Sequence, residues 1–256
     1  MQRLQGKTIL ITGATSGLGE AMAHCFAEEG ASIVAVGRNH ARGETLIDAL
    51  TARHSAIRAQ FFPCDLTDAH AIGDLRKAIT ASGFAIDVLV NNAGIFKTYR
   101  LEEVTPEAYD RVFRTNVSSA IFMTQAFIDE VCQRGGNILN IASIGGLQSY
   151  IAGRSQYLYA PSKAALIEFS QLCAKNYAPD IRVNCLCPGP NDTPIYENKD
   201  FSRILPSIPM GRMGKPIDVA RAASFLISDD ASYITGAALV FIQMDIEKAM
   251  AYPWVF

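Results

Sequence analysis

The stretch Thr12-Gly13-Ala14-Thr15-Ser16-Gly17-Leu18-Gly19 decides the fold of this chain, because it ends one predicted strand and opens the next predicted helix. In that setting Gly13 permits a tight turn, Gly17 lets the backbone approach a pyrophosphate, and Gly19 allows close helix–strand packing. The backbone N–H groups at the helix N-terminus then face the phosphates. The residues expected to hold a dinucleotide here are Gly13, Ser16, Gly17, Leu18 and Gly19. The alternative is a glycine-rich turn without a ligand.

On either side of this turn, short β-rich runs alternate with longer amphipathic stretches. The predicted strands are Thr8–Thr12, Ser32–Gly37, Ala59–Pro63, Asp87–Asn91, Asn137–Ile141, Arg182–Cys187 and Ala238–Ile242. The predicted helices are Leu18–Glu29, Ala41–Arg53, Ala69–Ala81, Pro106–Cys132, Tyr157–Tyr177 and Pro216–Leu226. Continuous apolar strands separated by helices predict a parallel sheet with helices on both faces. No linker divides the chain, so residues 1–256 are expected to form a single doubly wound α/β domain.

The composition excludes several functional classes. The 256 residues are 49% apolar and 19% charged with a formal charge of −2, so no basic surface for nucleic acid is indicated. No apolar run reaches the ~20 residues of a membrane span, and the first residues contain no signal-peptide core. Six cysteines and four histidines show no metal-ligand spacing, which predicts a cytoplasmic protein with reduced thiols and no metal site.

Tyr159 and Lys163 are the first candidates for chemistry. Residues four apart lie on one face of a helix, and the Lys charge is expected to lower the phenol pKa from its usual value of about 10. Such a phenol is a proton donor for a carbonyl or an acceptor for an alcohol. Tyr157 is the rival tyrosine, but it is off the face of Lys163. Ser143 precedes this pair, and its rival Ser149 lies in the following loop.

With Asn91-Asn92-Ala93-Gly94 after the fourth strand, these motifs resemble those of the classical short-chain dehydrogenases/reductases, from about Lys7 to Gly236. The resemblance implies a seven-stranded Rossmann-type sheet, a nicotinamide cofactor and a homotetramer or homodimer. It also implies that Tyr159 is the general acid/base and, like Lys163, a cofactor-binding residue. Lys163 would lower the pKa of Tyr159 and hold the nicotinamide ribose, and Ser143 would orient the carbonyl. Asn116 would support a proton-relay water; the alternative is a surface residue on a helix.

Arg38 is the residue expected to select the cofactor. NAD sites place an acid at the end of the second strand, but this chain has Gly37 followed by Arg38. A guanidinium can clamp a 2′-phosphate, so we expect NADP(H) rather than NAD(H). Arg38 could instead be a solvated turn residue, and Arg42 could share its role. Asp65-Leu66 resembles the family's adenine contact, although Asp65 could only cap the next helix.

Two further segments complete the expected cofactor site. Asn92, Ala93 and Gly94 resemble the loop along the adenine ribose, with a structural role in the turn as the alternative. After the sixth strand, the segment that resembles the family's nicotinamide contact supplies Pro188, Gly189, Asn191 and Thr193. Thr193 could otherwise cap a helix of the lid, which we expect at about residues 188–213.

Three departures from the family pattern surround the predicted substrate pocket. The gap of sixteen residues between Ser143 and Tyr159 is longer than usual, and the extra length falls in Gln148–Gln156. Asn191 stands where Val is usual. Phe241–Asp245 replaces the usual Asp-Gly-Gly, and the aromatic tail Ala251–Phe256 is expected to pack at a subunit interface.

The predicted function is therefore an NADP(H)-dependent oxidoreductase that interconverts a secondary alcohol and a ketone. The pocket segments Phe96–Arg100, Leu147–Ser155 and Ile195–Met213 predict a mostly apolar small-molecule substrate. Enoyl reductases of this superfamily space their Tyr and Lys seven apart, which does not match. The alternative from another class is a non-catalytic NADP-binding regulator or scaffold on the same fold.

Overall fold

A computed structural model of the chain describes residues 2–147, 155–196, 201–202 and 204–242. Its strands are β1 (Thr8–Thr12), β2 (Ser32–Gly37), β3 (Ala59–Pro63), β4 (Val88–Asn91), β5 (Asn137–Ile141), β6 (Arg182–Cys187) and β7 (Ala238–Val240). Its α-helices are α1 (Gly17–Glu28), α2 (His40–Arg53), α3 (Ala69–Ala81), α4 (Pro106–Phe113), α5 (Ser119–Gln133), α6 (Tyr159–Tyr177) and α7 (Pro216–Ile227). None of the helices described is long and apolar enough to cross a bilayer.

Seven parallel strands of the described chain form one sheet in the order β3-β2-β1-β4-β5-β6-β7. Successive strand residues point to opposite faces, so Ile9 and Ile11 pack with α1, α2 and α7, whereas Leu10 packs with α3, α5 and α6. Both faces of β1 are therefore buried, which explains its uninterrupted apolar sequence. The predicted doubly wound sheet is confirmed.

The predicted stretch Pro106–Cys132 is helical throughout, but it is not one regular α-helix. Helix α4 ends at Phe113, a π-helical turn spans Arg114–Ser118, and α5 begins at Ser119. A π turn carries one more residue per hydrogen-bonded ring than an α turn and often lies at a functional site. Several other predicted bounds shift by one or two residues: β4 begins at Val88, β7 ends at Val240, α6 begins at Tyr159, and α1, α2 and α7 each shift by one residue at one or both ends.

The order of the sheet places its switch point between β1 and β4. Chain connections run outward from β1 through β2 to β3, and outward from β4 through β5 to β7. In an open parallel sheet, ligands bind in the crevice that this reversal opens at the carboxyl ends of the strands. The carboxyl ends of β1 to β6 therefore supply the residues of the candidate site.

Candidate active site

A cleft of about 860 Å³ runs along the carboxyl edge of the sheet from Arg38 at one end to Tyr159 at the other. Every residue that the sequence predicts for catalysis or cofactor binding lines this cleft, except Gly19 and Asn116. Gly19 and Asn116 lie behind the residues that line the cleft, where they contact the glycine turn and the segment after β4, respectively. The predicted residues are thus brought together in one continuous site.

The glycine turn forms a cradle in which backbone N–H groups are left without side-chain partners. Gly17 has φ +59°, a left-handed conformation that favours glycine. Ser16 is the extended N-cap of α1, but its side chain makes no capping hydrogen bond. The first N–H groups of a helix need partners, and a phosphate satisfies them. The turn therefore fits a nucleotide pyrophosphate.

Gly19 supports this turn from behind. A methyl group built on Gly19 would contact the carbonyl oxygen of Gly13 and lie 2.6 Å from Asn92 Nδ2. Asn92 itself donates from Nδ2 to the carbonyl oxygens of Thr12 (2.9 Å) and Gly13 (3.2 Å). The Asn92 side chain thus connects the end of β4 to the glycine turn. This is the structural role that the sequence left open as the alternative to a cofactor contact. Its neighbours Ala93 and Gly94 line the cleft.

Two exposed guanidinium groups, those of Arg38 and Arg42, belong to residues that line the adenine end of the cleft. Asn39 caps α2 by accepting a hydrogen bond from the backbone N–H of Arg42 at 3.0 Å. Capping orients the first turn of α2, which starts two residues after Arg38. Both arginines therefore lie at the end of the cleft where the sequence predicts a 2′-phosphate.

Asp65 lines the same end of the cleft and does not cap α3. Its carboxylate accepts hydrogen bonds from the backbone N–H and the hydroxyl of Thr67, at 3.0 and 2.8 Å. These bonds lower the pKa of Asp65. The N-cap is Asp68, which accepts from the backbone N–H of His70 at 2.9 Å. The capping alternative for Asp65 is wrong, because Asp68 already occupies that position.

Ser143, Tyr159 and Lys163 meet at the other end of the cleft. Ser143 follows β5, and its side chain is hydrogen bonded to that of Tyr159 in the first turn of α6. The buried Lys163 donates from Nζ to the carbonyl oxygen of Ile141 at 2.9 Å, and Nζ lies 5.9 Å from the centroid of the Tyr159 ring. The rival Tyr157 is exposed and does not line the cleft. The rival Ser149 lies outside the described residues.

Burial changes the pKa values of both ionisable groups in a direction that the sequence did not predict. Burial raises the pKa of Tyr159, and the hydrogen bond with Ser143 only opposes this rise. The expectation that Lys163 lowers it is wrong for this structure, because burial penalises the phenolate and the charge of Lys163 is not among the groups that shift this pKa. Burial likewise lowers the pKa of Lys163 to about 8. The phenol is therefore protonated at neutral pH and suited to donate to a carbonyl.

Asn116 is buried in the π turn and is not the surface residue of the alternative. Its Nδ2 donates to the carbonyl oxygen of Ile95 (3.0 Å) and to Ser162 Oγ (3.1 Å), while its Oδ1 accepts from the backbone N–H of Ile95 at 2.8 Å. These bonds fix the segment after β4 against α6. The Asn116 side chain holds the wall of the site rather than facing the cleft.

The segment after β6 closes the cleft across from the glycine turn. A methyl group built on Gly17 would lie 3.5 Å from Cβ of the buried Thr193. Residues 194–196 are not helical, so the capping alternative for Thr193 is wrong. Asn191 is buried too, and its Nδ2 donates to the carbonyl oxygen of Gly189 at 2.7 Å. Residues 197–200 and 203 of the predicted lid lie outside the described part of the chain.

Gln156, a residue that no motif singled out, also lines the cleft. It precedes Tyr159 by three residues and is 4% exposed, and among the described residues no group donates to its Oε1. The aromatic rings of Phe96 and Tyr196 line the cleft nearby; Phe96 meets Tyr159 edge-on at 4.8 Å and Tyr196 at 5.6 Å. Most of Gln148–Gln156 and the whole tail Ala251–Phe256 lie outside the described residues.

The stability of the protein is expected to depend on pH through Lys163. Its pKa falls from 10.5 to about 8 on folding, so between these values this side chain binds more protons in the unfolded chain than in the folded one, and its contribution to the stability of the fold rises with pH. The Lys163→Met variant lacks this dependence. We expect its unfolding free energy, relative to wild type, to fall by about 3 kcal/mol as the pH rises across that window. Urea unfolding of both proteins at the two ends of the window measures this; an equal difference at both ends would contradict it.

A Rossmann-type crevice with a phosphate cradle at one end and a Ser–Tyr–Lys set at the other defines a nicotinamide-dependent oxidoreductase. The comparisons agree with this class. The family model described as enoyl-(acyl carrier protein) reductase matches residues 13–241. The 3-oxoacyl-[acyl-carrier-protein] reductase FabG of Thermotoga maritima is 36% identical over 244 residues, which are 93% of this chain and 96% of the relative.

Two further relatives are similar over nearly their whole length. The 2,5-dichloro-2,5-cyclohexadiene-1,4-diol dehydrogenase LinX of Sphingobium indicum is 35% identical over 93% of this chain and 95% of its own. The L-sorbose reductase of Gluconobacter frateurii, solved with NADPH and L-sorbose, has a TM-score of 0.86 and 29% identity, over 94% of this chain and 97% of its own. The chain belongs to the short-chain dehydrogenase/reductase family, whose enzymes act on CH–OH and C=O groups with NAD(P).

Proposed function

We propose that the protein is an NADP(H)-dependent oxidoreductase that interconverts a secondary alcohol and a ketone, with Tyr159 as the general acid/base. The observation that carries the proposal is the meeting of Ser143, Tyr159 and the buried Lys163 at one end of a nucleotide-sized cleft. A binding-only regulator or scaffold has no chemical need for this set of side chains.

Each residue of the set has a distinct task in ketone reduction. When bound, the nicotinamide supplies the hydride. The protonated Tyr159 donates its proton to the carbonyl oxygen, and Ser143 gives that oxygen a second hydrogen bond as negative charge develops. Lys163, whose Nζ donates to the carbonyl oxygen of Ile141, would bind the ribose of the cofactor. Asn116 positions the wall of the site through its bonds to Ile95 and Ser162.

The substrate of the proposed reaction is a small molecule with a mostly apolar body. Phe96 and Tyr196 stand in contact at 5.6 Å, and the side chains of Ile144 and Ile195 also line the cleft. Apolar and aromatic walls with a few polar groups are typical of small-molecule sites. This end of the cleft therefore suits a cyclic or otherwise compact ketone.

The test of the proposed function is nicotinamide absorbance against a panel of ketones and alcohols, with NADPH and with NADH. Turnover of at least one ketone with NADPH supports the enzyme. Tight NADPH binding without turnover across the panel would favour the regulator or scaffold instead. Failure to bind either nucleotide would contradict both readings, because both need the phosphate cradle.

NADPH preference is expected to depend on Arg38. The Arg38→Asp variant loses a cation beside the 2′-phosphate and gains a carboxylate that repels it, so we expect the ratio of NADPH to NADH affinity to fall by about 100-fold. Fluorescence titration with both nucleotides measures the ratio. Arg53→Asp, an exposed change at the last residue of α2 and away from the cleft, is the matched control. An unchanged ratio in Arg38→Asp with a fall in Arg42→Asp would assign the 2′-phosphate to Arg42.

The assembly and location are part of the same proposal. Exposed apolar side chains on two helices, Ile121 and Phe122 of α5 and Leu172 and Tyr177 of α6, support a homotetramer or homodimer. All six cysteines are free, which supports a cytoplasmic location.

A further inference from the structure

Two aromatic rings, those of Phe96 and Tyr196, lie beside the catalytic phenol but take no part in the proposed proton transfer. The centroid of the Phe96 ring lies 4.8 Å from that of Tyr159, with the ring planes 87° apart. The centroid of the Tyr196 ring lies 5.6 Å from that of Phe96, at an angle of 57°. Both residues line the cleft and neither is fully buried, so each has surface that a bound molecule can cover.

The segment that carries Phe96 is held on both sides of this residue. Just before it, Asn116 accepts from the backbone N–H of Ile95 at 2.8 Å and donates to the carbonyl oxygen of Ile95 at 3.0 Å. Three residues after it, the backbone N–H of Tyr99 donates to the carbonyl oxygen of Ser155 at 2.7 Å. A side chain on a segment that is fixed before binding loses little conformational freedom when a ligand contacts it.

The place of Phe96 beside Tyr159 determines which part of a substrate can reach it. A ketone that takes the proton of Tyr159 has its carbonyl oxygen at the phenol hydroxyl, and the Phe96 ring packs against the ring that bears this hydroxyl. A substituent on the carbon next to the carbonyl is therefore close enough to cover the exposed parts of Phe96 and Tyr196. Aromatic rings in such contact attract one another beyond the apolar area that they bury.

We propose that Phe96 is a specificity-determining residue that, together with Tyr196, binds a planar aromatic ring attached to the carbon next to the reacting carbonyl. The preferred substrates are then ketones with an arylmethyl group and the secondary alcohols formed from them. This inference rests on the proposed function and narrows it from an apolar body to an aromatic ring. A saturated ring of the same size buries as much apolar surface, but it offers no aromatic face or edge to Phe96 and Tyr196.

The test compares phenylacetone with cyclohexylacetone in reduction by NADPH. The two ketones differ only in the ring, which a methylene group separates from the carbonyl in both, so the intrinsic reactivity of the two carbonyls is similar. If apolar area alone decided binding, the cyclohexyl compound would be the equal or better substrate. We expect wild-type kcat/KM to favour phenylacetone by about 10-fold, because its ring contacts two aromatic side chains. Equal values, or a preference for cyclohexylacetone, would overturn the inference without the need for a variant.

Phe96→Leu and Phe96→Tyr separate recognition from structure. Phe96→Leu keeps an apolar side chain but removes the ring, so we expect the preference for phenylacetone to fall to about twofold. Phe96→Tyr keeps the ring and is expected to retain the preference. The matched control is Phe113→Leu, which removes a ring that is stacked on Tyr109 at 4.3 Å and does not line the cleft. This control is expected to retain the preference as well.

The possible outcomes distinguish this inference from the proposed function. An equal loss of kcat/KM on both ketones in Phe96→Leu would show that Phe96 only supports the fold around Tyr159, and an unchanged preference would show that the substrate ring binds elsewhere. Either result would overturn the inference. Turnover of other panel ketones without a preference for phenylacetone would sink only this inference, whereas no turnover of any panel ketone would sink the proposed function itself.

Discussion

The Tyr159→Phe variant is expected to reduce kcat for ketone reduction by about 1,000-fold, because it removes the proton that the developing alkoxide needs. The ring keeps its edge-on contact with Phe96 at 4.8 Å, so packing changes little. Burial raises the pKa of this phenol, which keeps the proton in place at neutral pH. The measurement is single-turnover oxidation of NADPH with the best ketone of the panel.

Two controls make the Tyr159→Phe result specific. NADPH affinity is expected to stay within about threefold of the wild-type value, because the phosphate cradle lies at the other end of the cleft from Tyr159. Tyr157→Phe, which removes an exposed hydroxyl two residues away, is expected to leave kcat unchanged. A loss of NADPH binding in Tyr159→Phe, or an equal loss of kcat in both variants, would contradict the assignment of the general acid.

The Gly19→Ala variant is expected to lose about 3 kcal/mol of unfolding free energy and most of its affinity for NADPH. The added methyl group would contact the carbonyl oxygen of Gly13 and lie 2.6 Å from Asn92 Nδ2. The first of these neighbours is a backbone atom, and the second, Asn92 Nδ2, is hydrogen bonded to the backbone of Thr12 and Gly13. Moving either one away from the methyl group therefore costs free energy. The turn must move, and the cradle moves with it.

Gly73→Ala is the matched control for Gly19→Ala. Gly73 also lies within a helix, α3, but a methyl group there would meet nothing within 4 Å. Alanine should therefore stabilise that helix by about 0.5–1 kcal/mol. Urea unfolding is expected to show a loss of stability in Gly19→Ala and a gain in Gly73→Ala. NADPH titration is expected to show a loss of affinity in Gly19→Ala alone. A Gly19→Ala protein as stable as Gly73→Ala, with wild-type NADPH affinity, would contradict the packing argument.

The fold was predictable because its signals are local and repeated. The strand β1 is an apolar run buried on both faces, and the glycine turn follows it directly. The apolar run therefore predicts a buried strand, and the glycine turn marks where that strand ends. Ser143, Tyr159 and Lys163 were predictable because residue types and spacing together demand one kind of chemistry. These arguments need no knowledge of what packs against each element.

The rest of the site depends on contacts that a sequence does not contain. Asp65 and Asp68 lie three residues apart, and only the backbone path shows that Asp68 caps α3. The direction in which the pKa of Tyr159 moves depends on burial, which the spacing of Tyr159 and Lys163 cannot reveal. That the buried Oε1 of Gln156 has no donor among the described residues is likewise a property of the folded protein.

The π turn at Arg114–Ser118 sets a rotational phase between two parts of what sequence alone predicts to be one helix. One residue corresponds to about 100° around an α-helix axis. Deleting a single residue from this turn would let α4 run into α5 as one regular helix, and it would rotate α4 by that angle against the sheet. Asn116 would then turn away from Ile95 and Ser162, its partners on two other segments. One extra residue in a helix thus acts as an angular spacer that keeps three separate segments aligned.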